Sequence, residues 1–257
     1  VVSCENTPIP EGAGGATCAF LSGQGDAILV RGTILTEGAA LQNGHLLIGG
    51  DGKVLCAACD CSADPAFDSA KVVACPNGVV SPGLINAHDH ITFTGLAPAT
   101  WGAERFDHRH DWRKGKRGHT KIPSPQTPKA VSFGELRQVL GGTTSLVGSG
   151  GAAGLLRNLD MSAAFQEGLN RPPAKYETFP LGDNDGQLIA SGGGGYPEID
   201  KPTATAIARA DAYVPHVSEG IDAEARNEFL CVSGAQQGSE QLLMAKSAFT
   251  HSVGLLP

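Results

Sequence analysis

His88 and His90 stand two residues apart at the end of an apolar run, Val79-Val80-Ser81-Pro82-Gly83-Leu84-Ile85-Asn86-Ala87-His88-Asp89-His90. Side chains two apart on a strand point the same way, so two imidazoles at a strand's C-terminal end can converge on one small cation. A run of this kind, bounded by Pro82 and Gly83 and ending in polar residues, reads as a strand buried on both faces in a parallel sheet. The plainer alternative is a pair of histidines capping a core strand. A second apolar segment, Ala212-Tyr213-Val214-Pro215-His216-Val217-Ser218-Glu219-Gly220, also ends in histidine, and a third, Ser247-Ala248-Phe249-Thr250-His251-Ser252-Val253-Gly254-Leu255, contains His251.

The first run resembles the first barrel strand of the amidohydrolase superfamily, metal-dependent hydrolases and deaminases built on a (β/α)8 barrel with a small β-sandwich beside it. The resemblance implies an α/β fold, a TIM-type barrel incomplete at the C-terminus with an N-terminal β-sandwich. It also implies a site. His88 and His90 match the first two metal ligands and His216 the third, holding one divalent ion, zinc or else iron or manganese. Glu219 falls in the His-x-x-Glu form of the mononuclear deaminases and chlorohydrolases, where it shuttles protons between water and substrate. A salt bridge to Arg226 is its structural alternative. His251 matches the residue that binds a second metal in binuclear members or polarises substrate in mononuclear ones.

The implied activity is hydrolytic cleavage of a C–N bond, by a deaminase or amidohydrolase, through metal-activated water. Two alternatives stay open: a binuclear amidase or dipeptidase, for which only Lys175 offers itself as the bridging lysine, and a non-catalytic secreted metal-binding protein. The superfamily's eighth-strand Asp would lie beyond Pro257. The resemblance therefore expects a missing C-terminal segment or a second polypeptide to supply the remaining strands and an Asp ligand, since about six strands cannot close a barrel. On that basis residues 1–257 alone are expected to be insoluble or molten, and inactive.

Three segments would position these residues: a cysteine-containing arm at 1–25, a β-sandwich at 26–80 and a truncated barrel at 81–257. In the second, 27–35 is strand-like, and 45–48 and 54–56 flank a Gly-Asp-Gly-Lys turn as a hairpin. In the third, 133–140 has helical spacing and leads through Gly141-Gly142-Thr143-Thr144 into a strand; 155–169 reads as a helix, 175–179 as a strand and 222–228 as a helix. Between them the polar loop 92–128 holds His119 and Asp107-His108-Arg109-His110-Asp111-Trp112-Arg113. It reads as a solvated or substrate-facing rim that sets specificity, rather than a second metal site at His108 and His110. The glycine run 191–195 lacks a following G-K-[ST] and is no phosphate loop.

Composition narrows the partners. A net charge of −7 leaves no basic footprint for nucleic acid, so the expected partner is a small-molecule substrate. No run of about 18 apolar residues spans a membrane. Of seven cysteines, Cys4, Cys18, Cys56, Cys59, Cys61 and Cys75 precede Cys231 by a long gap, which suggests a disulfide-bonded, exported protein, periplasmic, extracellular or a membrane-anchored lipoprotein. Cys56-x-x-Cys59-x-Cys61 could bind zinc instead, but no partner pair lies at finger spacing. Val1-Val2-Ser3-Cys4 resembles the tail of a bacterial lipobox behind a truncated signal peptide. Cys4 would then be a lipid anchor, leaving six cysteines to pair.

Overall fold

The computed structural model of the chain describes residues 1–9, 16–98, 100, 102–124, 126–190, 196, 205, 207–235 and 241–255. The glycine run 191–195 lies outside them. The chain divides into two compact units, Val1–Pro82 and Gly83–Pro257.

The first unit is one mixed sheet rather than the expected sandwich. Strands β1 (Val2–Ser3), β2 (Ala19–Ser22), β3 (Ile28–Leu35), β4 (Ala40–Ile48), β5 (Val54–Ala58) and β6 (Lys71–Val80) run in the order β1-β4-β3-β6-β2, with β5 beside β4. β3 and β4 pair antiparallel and set Leu29 opposite Leu47, both buried. β3 and β6 are parallel, so the chain between β5 and β6 must cross over. That crossover lays Cys61, Ala66, Phe67 and Ala70 on Leu29, Leu47 and Val72, and so covers the face that a second sheet would have covered. Residues 1–25, read as an arm, contribute β1 and β2.

Three disulfides hold this unit: Cys4–Cys59, Cys18–Cys75 and Cys56–Cys61. They are the chemistry of an oxidising, exported environment. Cys4 is thus not a lipid anchor, because a sulfur in a disulfide has no bond left for a thioether. The odd cysteine is Cys231, free and buried. No helix among the described residues is long and apolar enough to cross a membrane. The first two bridges close loops with sequence separations of 55 and 57, for which the chain-entropy account gives about 4 kcal/mol each. Reduction with dithiothreitol should therefore move the urea midpoint sharply down; an unchanged midpoint would mean that the sheet and its crossover hold without the bridges.

The second unit is not a (β/α)8 barrel. Its described strands form two open, three-stranded parallel sheets in chain order: β7 (Leu84–Asn86), β8 (Thr143–Leu146), β9 (Arg157–Asn158), and β10 (Lys175–Glu177), β11 (Tyr213–Val217), β12 (Thr250–His251). One backbone bond, Ala174 N–H to Leu159 C=O at 2.7 Å, joins the chain leaving β9 to the chain entering β10. Among the described residues helices are few: α1 (Arg109–Lys114), α2 (Pro128–Leu140) and α3 (Ala223–Val232), with a helical stretch at 207–209. A barrel needs a covering helix after nearly every strand, and the described residues do not supply them.

Residues 155–169 show why. Instead of a helix they hold β9 and a 3-10 turn, Ala163–Phe165. Asn158 Nδ2 donates to the carbonyls of Ala152, Leu156 and Phe165, and the Asp160 carboxylate accepts from Gly148 and Ser149 N–H. Such side-chain bonds offer the backbone an alternative to helix. The apolar run around Pro82 also splits, with Val79 and Val80 ending β6 and Leu84 and Ile85 lying on β7. Having β8 on one side only, β7 is a sheet edge, and Leu84 and Ile85 are 61% and 66% exposed rather than buried.

Candidate metal centre

β7 delivers its histidines just past its end. Gly83 sits so close to β8 that a Cβ there would meet the Thr144 side chain at 2.1 Å. Beyond Asn86 the chain stays alongside the end of β8 through Asp89 N–H to Val147 C=O (2.9 Å) and Ile91 N–H to Gly148 C=O (3.2 Å). Asn86 Oδ1 accepts His88 N–H at 3.2 Å, and Asn86 Nδ2 donates to Asp89 Oδ2 at 3.0 Å. From α2, Gln138 donates to the same Asp89 oxygen at 2.8 Å and accepts from Asn86 at 3.1 Å. The His88-Asp89-His90 turn is thereby clamped from two elements. α2 can do this because Thr127 caps its start, accepting Ala130 N–H at 3.2 Å, with Pro128 at its first position.

His216 comes from β11, every residue of which is buried. β12 pairs Thr250 with His216 and His251 with Val217, which brings His251 one step from His216. Ser218 takes a left-handed φ of 56° and His251 one of 71°, conformations that non-glycine residues hold only where the surroundings impose them. Ser218 is so held, its N–H donating to Glu228 Oε2 at 2.9 Å and its hydroxyl to Ala225 C=O at 2.6 Å. That turn sends Glu219 back towards His251. Gly220 follows against α1, where a Cβ would meet Asp107 C=O at 2.5 Å.

Four histidines therefore converge. One ring nitrogen each from His88, His216 and His251 lies within 4.8 Å of the others, and His90 Nε2 is 3.0 Å from His216 Nε2. Two nitrogens each about 2.1 Å from one cation stand about 3.0 Å apart at a right angle and about 3.4 Å at the tetrahedral angle. The 3.0 Å pair has coordination spacing already, and the wider group lies within 4.8 Å. Two details of the donors agree. His216 Nδ1 lies 3.3 Å from Glu177 C=O, which can only accept; Nδ1 therefore carries the proton and Nε2 turns its lone pair inward. His88 Nδ1 is buried with no hydrogen-bond partner.

All five residues singled out in the sequence come together, in a different division from that expected. His251 belongs to the compact three-nitrogen group, while His90 meets it through His216. Glu219 Oε2 is 3.5 Å from His251 Nε2, and among the described ion pairs it has none with Arg226. Lys175 pairs with Glu177.

Burial sets the protonation here. It pushes His216 down to about 3, with the His90 and His88 charges adding to it, and His251 down to about 4. Burial lifts Glu219 to about 7, against the pull of Arg109 and with the push of Glu228.

The His108–Arg113 segment is not a solvated loop. His108, Arg109, His110 and Asp111 open α1 and are at most 2% exposed. His108 Nε2 is 3.1 Å from Glu228 Oε1, His110 Nε2 is 2.8 Å from Asp183 Oδ2, and Arg109 Nη2 reaches Asp183 Oδ2 at 2.5 Å and Glu228 Oε1 at 3.2 Å. His108, His110 and Glu228 have the proximity a metal needs. The guanidinium between the two carboxylates already fills the cation's place, and this cluster reads as a buried ion-pair network. Nothing local in the sequence marks this face as buried, because its partners Asp183 and Glu228 lie far along the chain.

A cavity of about 490 Å³ opens over the histidines. His90, His216, His251, Glu219, Arg109 and Arg113 line it together with Phe93, Trp112 and Phe179.

Acid should destabilise the metal-free protein. Burial lowers the pKa of His45, His88, His90, His110, His216 and His251 from 6.5. Each contributes stability that is present above the unfolded value and lost as pH falls below it, because the unfolded chain then binds more protons. Glu219 and Asp160, raised by burial, act oppositely: their contribution is present at low pH and lost as pH rises through the folded value. Six groups against two give net proton uptake on unfolding, so the melting temperature should fall as pH drops from about 6.5 to about 5. A melting temperature that rises over that interval would contradict the assignment.

No family model matches the sequence, and no curated protein or solved structure matches it either.

Proposed function

We propose that this chain is a metal-dependent hydrolase that cleaves a C–N bond with water. The observation that carries the reading is the convergence of His88, His90, His216 and His251, with Glu219 beside His251, where all but His88 line a small-molecule-sized cavity. The reading takes up the likeness of His88-x-His90 and His216-x-x-Glu219 to amidohydrolase superfamily motifs as a likeness of residues, without the barrel. Imidazole donors with a neighbouring open face suit zinc first, and iron or manganese next.

A divalent ion held by these histidines would supply Lewis acidity, bringing the pKa of water towards neutrality. The rest is the chain's own work. Glu219 would take a proton from the attacking water and return it to the departing nitrogen, so one water adds across the C–N bond and no charge is left over. The His216 Nδ1–H bond to Glu177 C=O fixes that ring's orientation, and the Asn86-Asp89-Gln138 clamp does the same for the turn carrying His88 and His90. Phe93, Trp112 and Phe179 exclude bulk water from the cavity wall.

The test is metal content together with turnover. The chelator-stripped chain should take up about one equivalent of Zn(II) or Mn(II). It should then release ammonia or amine from members of an amide and amidine panel, losing this activity on chelation and regaining it with metal. A chain that binds no metal, or whose hydrolysis ignores the chelator, would sink the reading.

A further inference from the structure

Arg109 and Arg113 sit four residues apart on α1 and both line the cavity that holds His90, His216, His251 and Glu219. Their counter-charges differ. Arg109 is matched by the carboxylates of Asp183 and Glu228. Among the described residues no carboxylate lies within ion-pairing distance of Arg113. Its Nη2 donates to the carbonyls of Asn184 (2.5 Å) and Asp183 (3.4 Å), its Nε reaches His110 Nδ1 at 3.4 Å, and its guanidinium lies over the Phe179 ring at 4.3 Å. Every fixed partner is neutral, and no described residue engages Nη1. Asp183, Glu219 and Asp185 act on it only at range, while burial and the Arg109 charge disfavour its cation. A half-buried cation with neutral partners and a free edge facing a cavity lacks one thing, an anion.

We propose that Arg113 is the substrate's anchor: the molecule cleaved carries a carboxylate that sits on Arg113 while its C–N bond lies at the histidines and Glu219. This rests on the hydrolase reading above. With Nη2 and Nε engaged, Nη1 is left to donate a charge-assisted bond to a carboxylate oxygen, and a cavity of about 490 Å³ suits one small molecule. The substrate class is accordingly a carboxylate-bearing amide, such as an N-acylated amino acid.

The probes are N-benzoylglycine and its neutral analogue N-benzoylglycinamide, titrated calorimetrically into the full chain with and without Zn(II). A charge-assisted bond to Arg113 should make the acid bind about 10–100-fold more tightly than the amide. In Arg113→Met, whose stem still covers Phe179, that ratio should collapse to within about twofold, and Arg113→Lys should restore part of it. Equal binding of the two probes by the wild type, or no binding of either, overturns the proposal whatever the variants do. Discrimination in binding without hydrolysis of any panel member would instead leave the anchor standing and remove the hydrolase reading, so the two failures are told apart.

Discussion

His216→Ala should lose its metal. Bound Zn(II) is expected to fall from about one equivalent to near zero after desalting, with affinity lower by at least about 10²-fold. Even residues that merely orient a ligand are worth about 10–100-fold in affinity. His216 is the hub of the cluster: its Nε2 is 3.0 Å from that of His90, and its ring centroid lies 4.7 Å from that of His88 and 5.1 Å from that of His251. It is also fully buried and bonded to Glu177 C=O, so truncation leaves a small cavity and an unmet carbonyl, a cost of about 2–4 kcal/mol. Circular dichroism in the near ultraviolet separates loss of fold from loss of site. A folded His216→Ala chain that keeps a full equivalent of metal would show that the four histidines are not its centre.

The parts of this site that were legible in the sequence are those with a local signature. Strand-end histidines at 88, 90 and 216 could be read because an apolar run followed by His marks where a strand meets an open face. Glu219 followed from the likeness of His216-x-x-Glu219 to the amidohydrolase form. The fold was not legible, for two physical reasons. Whether a sheet closes depends on what lies beside its edge strands, and the exposure of Leu84 and Ile85 on β7 cannot be seen in residues that are themselves apolar. Helical spacing over 155–169 was outbid by side chains such as Asn158 and Asp160, which take up backbone partners locally. The His108–Arg113 cluster failed differently. A run of charges reads as solvated unless its partners are known, and Asp183 and Glu228 lie 74 and 120 residues away from the residues they hold.

Glu219→Gln should keep the metal and lose the reaction. Gln has nearly the same shape, and the backbone at 219 is held independently of its side chain: Arg109 N–H donates to Glu219 C=O at 2.9 Å, and His108 bridges Gly220. Arg109 retains Asp183 and Glu228, so the ion-pair network survives. An amide, however, cannot accept a proton from water and pass it to a leaving nitrogen. The turnover number should drop by about 10²–10⁴-fold, the usual contribution of a positioned general acid and base, while the bound metal stays at about one equivalent. Single-turnover measurement places the loss in the chemical step rather than in product release. If the Gln chain released its metal with all four histidines intact, Glu219 would be a ligand. If it turned over at the wild-type rate, the proton would travel by another group, and Tyr176, whose hydroxyl is 3.4 Å from His216 Nε2, would be the next to replace.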